Sequence, residues 1–333
     1  MDNKLIIAPS PHVFAPRDTT RIMGDVLLAL LPALAVSAWV FGWGVLAVTI
    51  ISASSCVVFE WLIQKFLLKG PATVGNLSAV VTGVLLAFNL PPTIPLWLVM
   101  LGAFVAIAVA KMTFGGLGRN PFNPALVGRV FLLIAYPVQM TTFAPLTATL
   151  SGIDAATGAT PLALAKGILK DGGSVSDVMA QLNITDLVVG FKSGSFGEVA
   201  AAALLLGGLF LLVRKVISWH VPVAVLGTMA VFSAILWFVA PASYMPPMFH
   251  LLTGGALLGA LFMATDYSTS PMTHKGGIIF GVGIGLLTII IRLWGAYPEG
   301  MSFAILIMNA AVPLIDKYVK PSRFGAAKRR AQA

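Results

Sequence analysis

Runs of about twenty apolar residues recur along this chain, and twenty is roughly what an α-helix needs to cross the hydrocarbon of a bilayer. Of the 333 residues, 58% are hydrophobic and only 10% are charged, so the runs cannot all be hidden inside a water-soluble core. A backbone in lipid must satisfy its own hydrogen bonds, which leaves helices as the spanning element. The expected class is an all-α polytopic membrane protein forming a single integral membrane domain. Ten transmembrane helices are expected, centred near Leu31, Ser54, Thr82, Phe104, Leu132, Leu205, Ala230, Leu257, Ile284 and Ile307. Gly42-Trp43-Gly44 separates the first two, and Asn89-Leu90-Pro91-Pro92 is a turn between the third and fourth.

The formal charge of +9 would suit a nucleic-acid surface, but the positions of the basic residues exclude one. Lys4, Arg17, Arg21, Lys65, Lys69, Lys111, Arg119, Arg214, Lys215, Lys275 and the tail from Lys317 to Arg330 all fall on one side of the expected spans. The opposite side has Lys166, Lys170 and Lys192. The positive-inside rule then predicts a cytoplasmic segment over 1–22, a basic cytoplasmic tail over 317–333 and a long extracytoplasmic loop over 140–196. The mixed polar N-terminal residues do not read as a cleavable signal. Cys56 is the single cysteine, so an iron–sulfur cluster cannot be held within this chain.

The long loop is where chemistry is expected, because connections of that length are usually functional. A short helix is predicted from Pro161 to Leu169, with proline at its first position and Thr160 as its N-cap. Capping alone explains such a threonine. The start of a helix also favours negative charge, and Gly158 and Ala159 leave the hydroxyl approachable.

The string Asp154-Ala155-Ala156-Thr157-Gly158-Ala159-Thr160 resembles the Asp-x-x-Ser/Thr-Gly/Ser-Ala-Thr sequence on which a flavin transferase esterifies FMN. Further blocks carry the resemblance along most of the chain. They are Ser10-Pro11-His12, Thr20-Arg21-Ile22-Met23-Gly24-Asp25-Val26, Gly115-Gly116-Leu117-Gly118-Arg119-Asn120-Pro121-Phe122-Asn123-Pro124-Ala125, Gly194-Ser195-Phe196-Gly197-Glu198 and Met263-Ala264-Thr265-Asp266-Tyr267-Ser268-Thr269-Ser270-Pro271. In this order they resemble the NqrB/RnfD family, whose members are membrane components of the sodium-pumping NADH:quinone oxidoreductase and of the Rnf electron-transport complex. The short N-terminal segment favours the Rnf branch. Ala155 and Thr157 depart from the common glycine and serine, and neither departure removes the acceptor hydroxyl.

The resemblance implies an FMN bonded through phosphate to Thr160, with Asp154, Thr157, Gly158 and Ala159 as the supporting motif. It implies an electron carrier, not catalytic alone, in a bacterial cytoplasmic (inner) membrane complex coupling ferredoxin and NAD chemistry to ion movement. Its partners would be a flavin transferase for maturation and other Rnf subunits, which would carry the iron–sulfur clusters and a second covalent flavin. Phe143, Phe191 and Phe196 are candidates to stack on the isoalloxazine. Asp266 and Arg129 are candidates for a second flavin (riboflavin, not covalently bound) or an ion, with Glu60 or backbone carbonyls as partners for Arg129. Asp25 and Glu198 are read as answering helix dipoles, and the four histidines show no metal-ligand spacing.

Thr82-Gly83 and Thr253-Gly254 hint at two five-helix repeats, which an odd helix count would invert relative to each other, with a site at their interface. Asn123-Pro124-Ala125 motivates an alternative, a channel or secondary transporter without a flavin. Such a pore needs two facing turns, and the second half offers only Asn309-Ala310-Ala311.

Overall fold

A computed structural model describes residues 18–70, 73–143, 158–182, 187–188, 190, 192–198 and 201–321. The described part is helical, and a helix covers each of the ten expected centres. The first half holds α1 (Thr19–Phe41), α2 (Trp43–Leu62, continued by a π-turn to Leu67), α3 (Ser78–Phe88), α4 (Leu96–Phe104, continued as π-helix to Met112) and α5 (Pro124–Ala135). After α5 come the short α6 (Pro137–Thr141), α7 (Pro161–Lys170) and α8 (Val175–Gln181). The second half holds α9 (Ala201–Val213), α10 (His220–Val239), α11 (Pro247–Leu252), α12 (Ala256–Leu258, continued to Met263), α13 (His274–Trp294) and α14 (Met301–Tyr318).

The helices differ in length, and the difference shapes the molecule. Five are long and apolar enough to span a membrane: Thr19–Phe41, Trp43–Leu67, His220–Val239, His274–Trp294 and Met301–Tyr318. With 11 residues, α3 reaches only about 16 Å at 1.5 Å per residue, about half of a hydrocarbon core. The helix around Leu257 is broken too, since Gly254 takes a left-handed φ of +62° between α11 and α12. Such interruptions survive at membrane depth where protein surrounds them. Accordingly Asn89 and Leu90 after α3, and Thr253 before α12, are buried.

Packing in the second half repeats that of the first. Helix α2 packs on α3 and α4, while α10 packs on α11 and α13; α1 lies against α9, and α5 against α14. The Thr-Gly pairs that hinted at this are not equivalent, because Gly83 is inside α3 whereas Gly254 is at a break. A better correspondence is a basic residue near the end of the fourth helix of each half. Lys111 reaches Ser78 Oγ at the start of α3 (2.7 Å), and Arg292 reaches Thr253 O before α12 (2.9 Å).

The ends of the bundle are distinct. At one end Thr20 bonds Gly75 O, Asp25 meets Arg214, and the amide of Met272 donates to Asp316. This end gathers both described termini. The other end holds Gly42, Tyr136, Glu299 and the polar connection from 158 to 198, and is called the loop face below. Outward-facing Trp39, Trp43, Ile50, Leu206, Phe238, Val239 and Trp294 form an apolar girdle.

Candidate functional site

Thr160 caps α7 as its sequence predicts. Its Oγ accepts a hydrogen bond from the Ala163 amide at 3.2 Å, and Pro161 occupies the first helical position. The helix runs one residue past the expected end, to Lys170. Gly158 is tied back to the end of α6, its amide donating to Phe143 O at 2.9 Å. Asp154 and Thr157 lie outside the described residues. Leu162 and Ala165, one turn apart, bury against Val178, Met245 and Phe249 and fix α7 on the bundle.

Thr160 opens on a cleft of about 630 Å³ lined by Arg129, Phe143, Lys192, Glu198, Tyr297 and Glu299, among others. The wall is charged and buried. Arg129 contacts both Ser302 Oγ and Glu299 with its guanidinium, and Glu198 Oε1 stands 3.7 Å away. Lys192 Nζ donates to Leu252 O at 2.5 Å, the last carbonyl of α11. The Glu299 carboxylate accepts from the Gly255 amide at 3.0 Å, where α12 begins. Burial pushes the Lys192 ammonium down to about 8, with Glu198 opposing the shift and Arg292 adding to it. Arg129 Nε and Glu198 Oε1 are buried without a hydrogen-bond partner among the described residues.

Several expectations need correction here. Arg129 pairs with glutamates at the loop face and not with Glu60, whose partner is Lys111 at 2.6 Å. Arg129 and Asp266 do not share a site. Asp266 lines a separate cavity of about 760 Å³ at the termini end, with Ser78, Lys111, Asn120, Asn123 and Tyr267. There it accepts from Ser268 Oγ (2.9 Å) and Thr269 Oγ1 (3.2 Å). Phe196 cannot stack on a ligand, because it is fully buried edge-to-face against Phe88. Phe143 does line the cleft, and Phe191 lies outside the described residues. Glu198 does more than answer a helix dipole, since it faces Arg129. Asp25, well inside α1, takes a two-pronged contact from Arg214 at 3.0–3.2 Å.

Sequence reasoning missed Lys192, Tyr297 and Glu299. The chain has only three glutamates, Glu60, Glu198 and Glu299, and each forms an ion pair. That scarcity was the signal that could have found them. The histidine pair was missed as well: His220 and His274 stack at 4.1 Å, with Trp219 on the other face of His220.

Residues 6–325 match the sequence signature of the NQR2, RnfD, RnfE family. The RnfD-type component of the Na(+)-translocating ferredoxin:NAD(+) oxidoreductase complex of Acetobacterium woodii is 46% identical over 331 residues, covering 99% of this chain and 98% of that relative. Its counterpart in the proton-translocating ferredoxin:NAD(+) oxidoreductase complex of Clostridium ljungdahlii is 44% identical, covering 97% of each chain. The counterpart in the ion-translocating oxidoreductase complex of Salmonella paratyphi A is 39% identical over 97% of this chain and 99% of its own length. Likeness over the whole membrane domain, at this identity, means that the chain belongs to the NQR2, RnfD, RnfE family.

Proposed function

We propose that this chain is the membrane-embedded, electron-carrying subunit of an ion-translocating ferredoxin:NAD oxidoreductase complex, with FMN covalently attached through its phosphate to Thr160. The observation that carries this reading is the pairing of an acceptor hydroxyl at a helix start with a charged, aromatic-walled cleft. Attachment joins the Thr160 oxygen to the phosphorus of an activated flavin phosphoanhydride. The anhydride bond breaks, its nucleotide half leaves, and the hydroxyl proton passes to the transferase. Thr160 Oγ accepts from Ala163 N–H, so an ester oxygen there keeps the cap.

The residues present suit such a group. The start of α7 favours the phosphodiester charge; Phe143 and Tyr297 offer faces to a planar ring; Arg129 and Lys192 supply fixed positive charge. When bound, the flavin supplies one-electron chemistry, and the protein supplies position and electrostatics. Lys192, close to neutral at physiological pH, takes up a proton at Nζ when negative charge arrives in the cleft. Glu198 and Glu299 hold Arg129 in place, so its charge stays fixed while that of Lys192 changes.

In this reading the loop face is extracytoplasmic, both termini are cytoplasmic, and the protein sits in the bacterial cytoplasmic membrane. The tether keeps the carrier from diffusing into water. Partner subunits carry the iron–sulfur clusters and a second covalent flavin. The cavity at Asp266 is the candidate place for a second flavin, bound without a covalent bond. Asn123 and Asn309 do meet, Asn123 N–H donating to Asn309 Oδ1 at 3.4 Å. Asn309 is in mid-helix, however, so they interlock the halves without forming two facing turns of a pore.

The test is co-expression with a flavin transferase, followed by a denaturing gel under ultraviolet light and intact mass, beside Thr160→Ala and Thr160→Ser. A fluorescent band carrying one FMN in the wild type and absent from Thr160→Ala supports the assignment. A dark wild-type band, with the transferase active on a control substrate, refutes it and brings the transporter reading forward.

A further inference from the structure

A second cleft of about 1130 Å³ opens on the loop face, on the far side of α7 from the Thr160 cleft. Its walls are α7, the turn after α10 and the end of α13. Two polar side chains in its lining are almost wholly buried, His250 at 3% and Arg292 at 4% exposure. Each has a nitrogen without a hydrogen-bond partner among the described residues, His250 Nδ1 and Arg292 Nε. The other guanidinium nitrogens of Arg292 are used, donating to His250 O at 2.6 Å and Thr253 O at 2.9 Å. Lys166 donates to Gly295 O and Tyr297 O and keeps a third ammonium proton. Lys170 stands exposed at the rim.

No aspartate or glutamate is among the described residues lining this cleft; Glu198 acts on Arg292 from the Thr160 side. The cleft therefore presents cationic donors to an entering group. It also presents apolar surface from Leu169 and Leu293, and Trp294 is 59% exposed at its edge. Tryptophan at the end of a membrane helix marks headgroup depth. Phe238 and Val239, exposed at the end of α10, put the lipid-facing girdle next to the opening.

We propose that this cleft is a binding site for an anionic phospholipid of the leaflet on the loop face. The phosphate is held by Arg292 and the two lysines of α7, and the acyl chains run over Leu169, Leu293 and the girdle. Depth and apolar walls favour a lipid phosphate over a dissolved one. The bound headgroup would brace α7, and so Thr160, from behind. The site itself is independent of whether Thr160 is modified.

The full chain is reconstituted in nanodiscs of equimolar phosphatidylglycerol and phosphatidylcholine, and retained lipid is read by native mass spectrometry. The comparison variants are Lys170→Gln and Lys166→Gln/Lys170→Gln. Lys170 is exposed, so its variant folds; circular dichroism and the melting temperature check both proteins. The wild type is expected to retain one phosphatidylglycerol preferentially. Retention should fall about fivefold in Lys170→Gln, the factor one basic residue contributes at an anionic surface, and further in the double variant. Millimolar glycerol phosphate should not displace the lipid. Displacement by glycerol phosphate, or retention unchanged in the double variant, overturns the proposal. Equal retention of the two lipids also overturns it, and leaves an acidic partner segment as the occupant.

Discussion

Lys111→Met should unfold this protein far more readily than its distance from the Thr160 cleft suggests. Lys111 is 2% exposed and Glu60 1%, with Nζ and Oε2 2.6 Å apart. The ammonium also donates to Ser78 Oγ at 2.7 Å. Gln64 bridges from Glu60 (3.3 Å) to Thr73 (2.8 Å), so the network joins the end of α2, the start of α3 and the end of α4. Removing the cation leaves Glu60 charged, buried and without its counter-ion, which costs about 3–5 kcal/mol. Against a total stability of about 5–15 kcal/mol, that is a large fraction. Replacing both ions with apolar groups removes the stranded charge, and such swaps are often neutral or stabilising. The assay is unfolding in detergent by circular dichroism, across Lys111→Met, Glu60→Leu and the double variant as a cycle. A loss under about 1 kcal/mol in Lys111→Met, or a double variant no better than the worse single, would refute the argument.

Further outcomes follow from the same contacts. Gly83→Ala would place a methyl 2.5 Å from the Ala53 Cα, between the backbones of α2 and α3, so it should cost about 1–3 kcal/mol by thermal unfolding. Thr160→Ala should loosen α7 by about 1 kcal/mol through loss of the cap; hydrogen exchange at Ala163 should rise, and Thr160→Ser should restore it. Arg129→Lys keeps the charge but loses the fork that holds Ser302 and Glu299 together; its melting temperature should fall, and an unchanged value would mean that the fork holds nothing. Lys192 titrates near 8 in the folded chain and near 10.5 ordinarily, so the unfolded chain binds more protons between those values and stability should rise with pH across that window. The slope is at most about 1.4 kcal/mol per pH unit, and Lys192→Met should flatten it.

Features that depend on adjacent residues were legible in the sequence. The Gly158-Ala159-Thr160-Pro161 run specifies a cap within four residues, and the cap is there. The apolar stretches located every helix, because hydrophobicity is counted locally. Their lengths were not legible. The stretch through Thr82 stays apolar past Phe88, yet the helix stops and Leu90 continues as buried coil. Hydropathy cannot distinguish lipid from surrounding protein as the thing that buries a residue. Lys111 shows the same limit: it reads as a basic residue beyond a span and lies sealed against Glu60. Arg129 and Glu299 are 170 residues apart, and nothing local to either names the other.

Charged groups inside a membrane invite a functional reading, but this bundle gives many of them an earlier duty. A helix that stops within the bilayer leaves amides and carbonyls that water cannot reach. Lys111 answers the start of α3 through Ser78, Arg292 and Lys192 take carbonyls at the end of α11, and Glu299 takes the amide of Gly255 before α12. Asn123 caps α5 and also donates to Met263 O at 3.2 Å, where α12 and its continuation end. The breaks therefore require polar groups whether or not any chemistry occurs beside them. The stronger functional evidence is what remains after that requirement is met. Arg292 keeps Nε after satisfying two carbonyls, and Arg129 keeps its own Nε against Glu198. Those unfilled valences face the two clefts that flank α7, which makes the helix bearing Thr160 the element on which substitutions should separate function from folding.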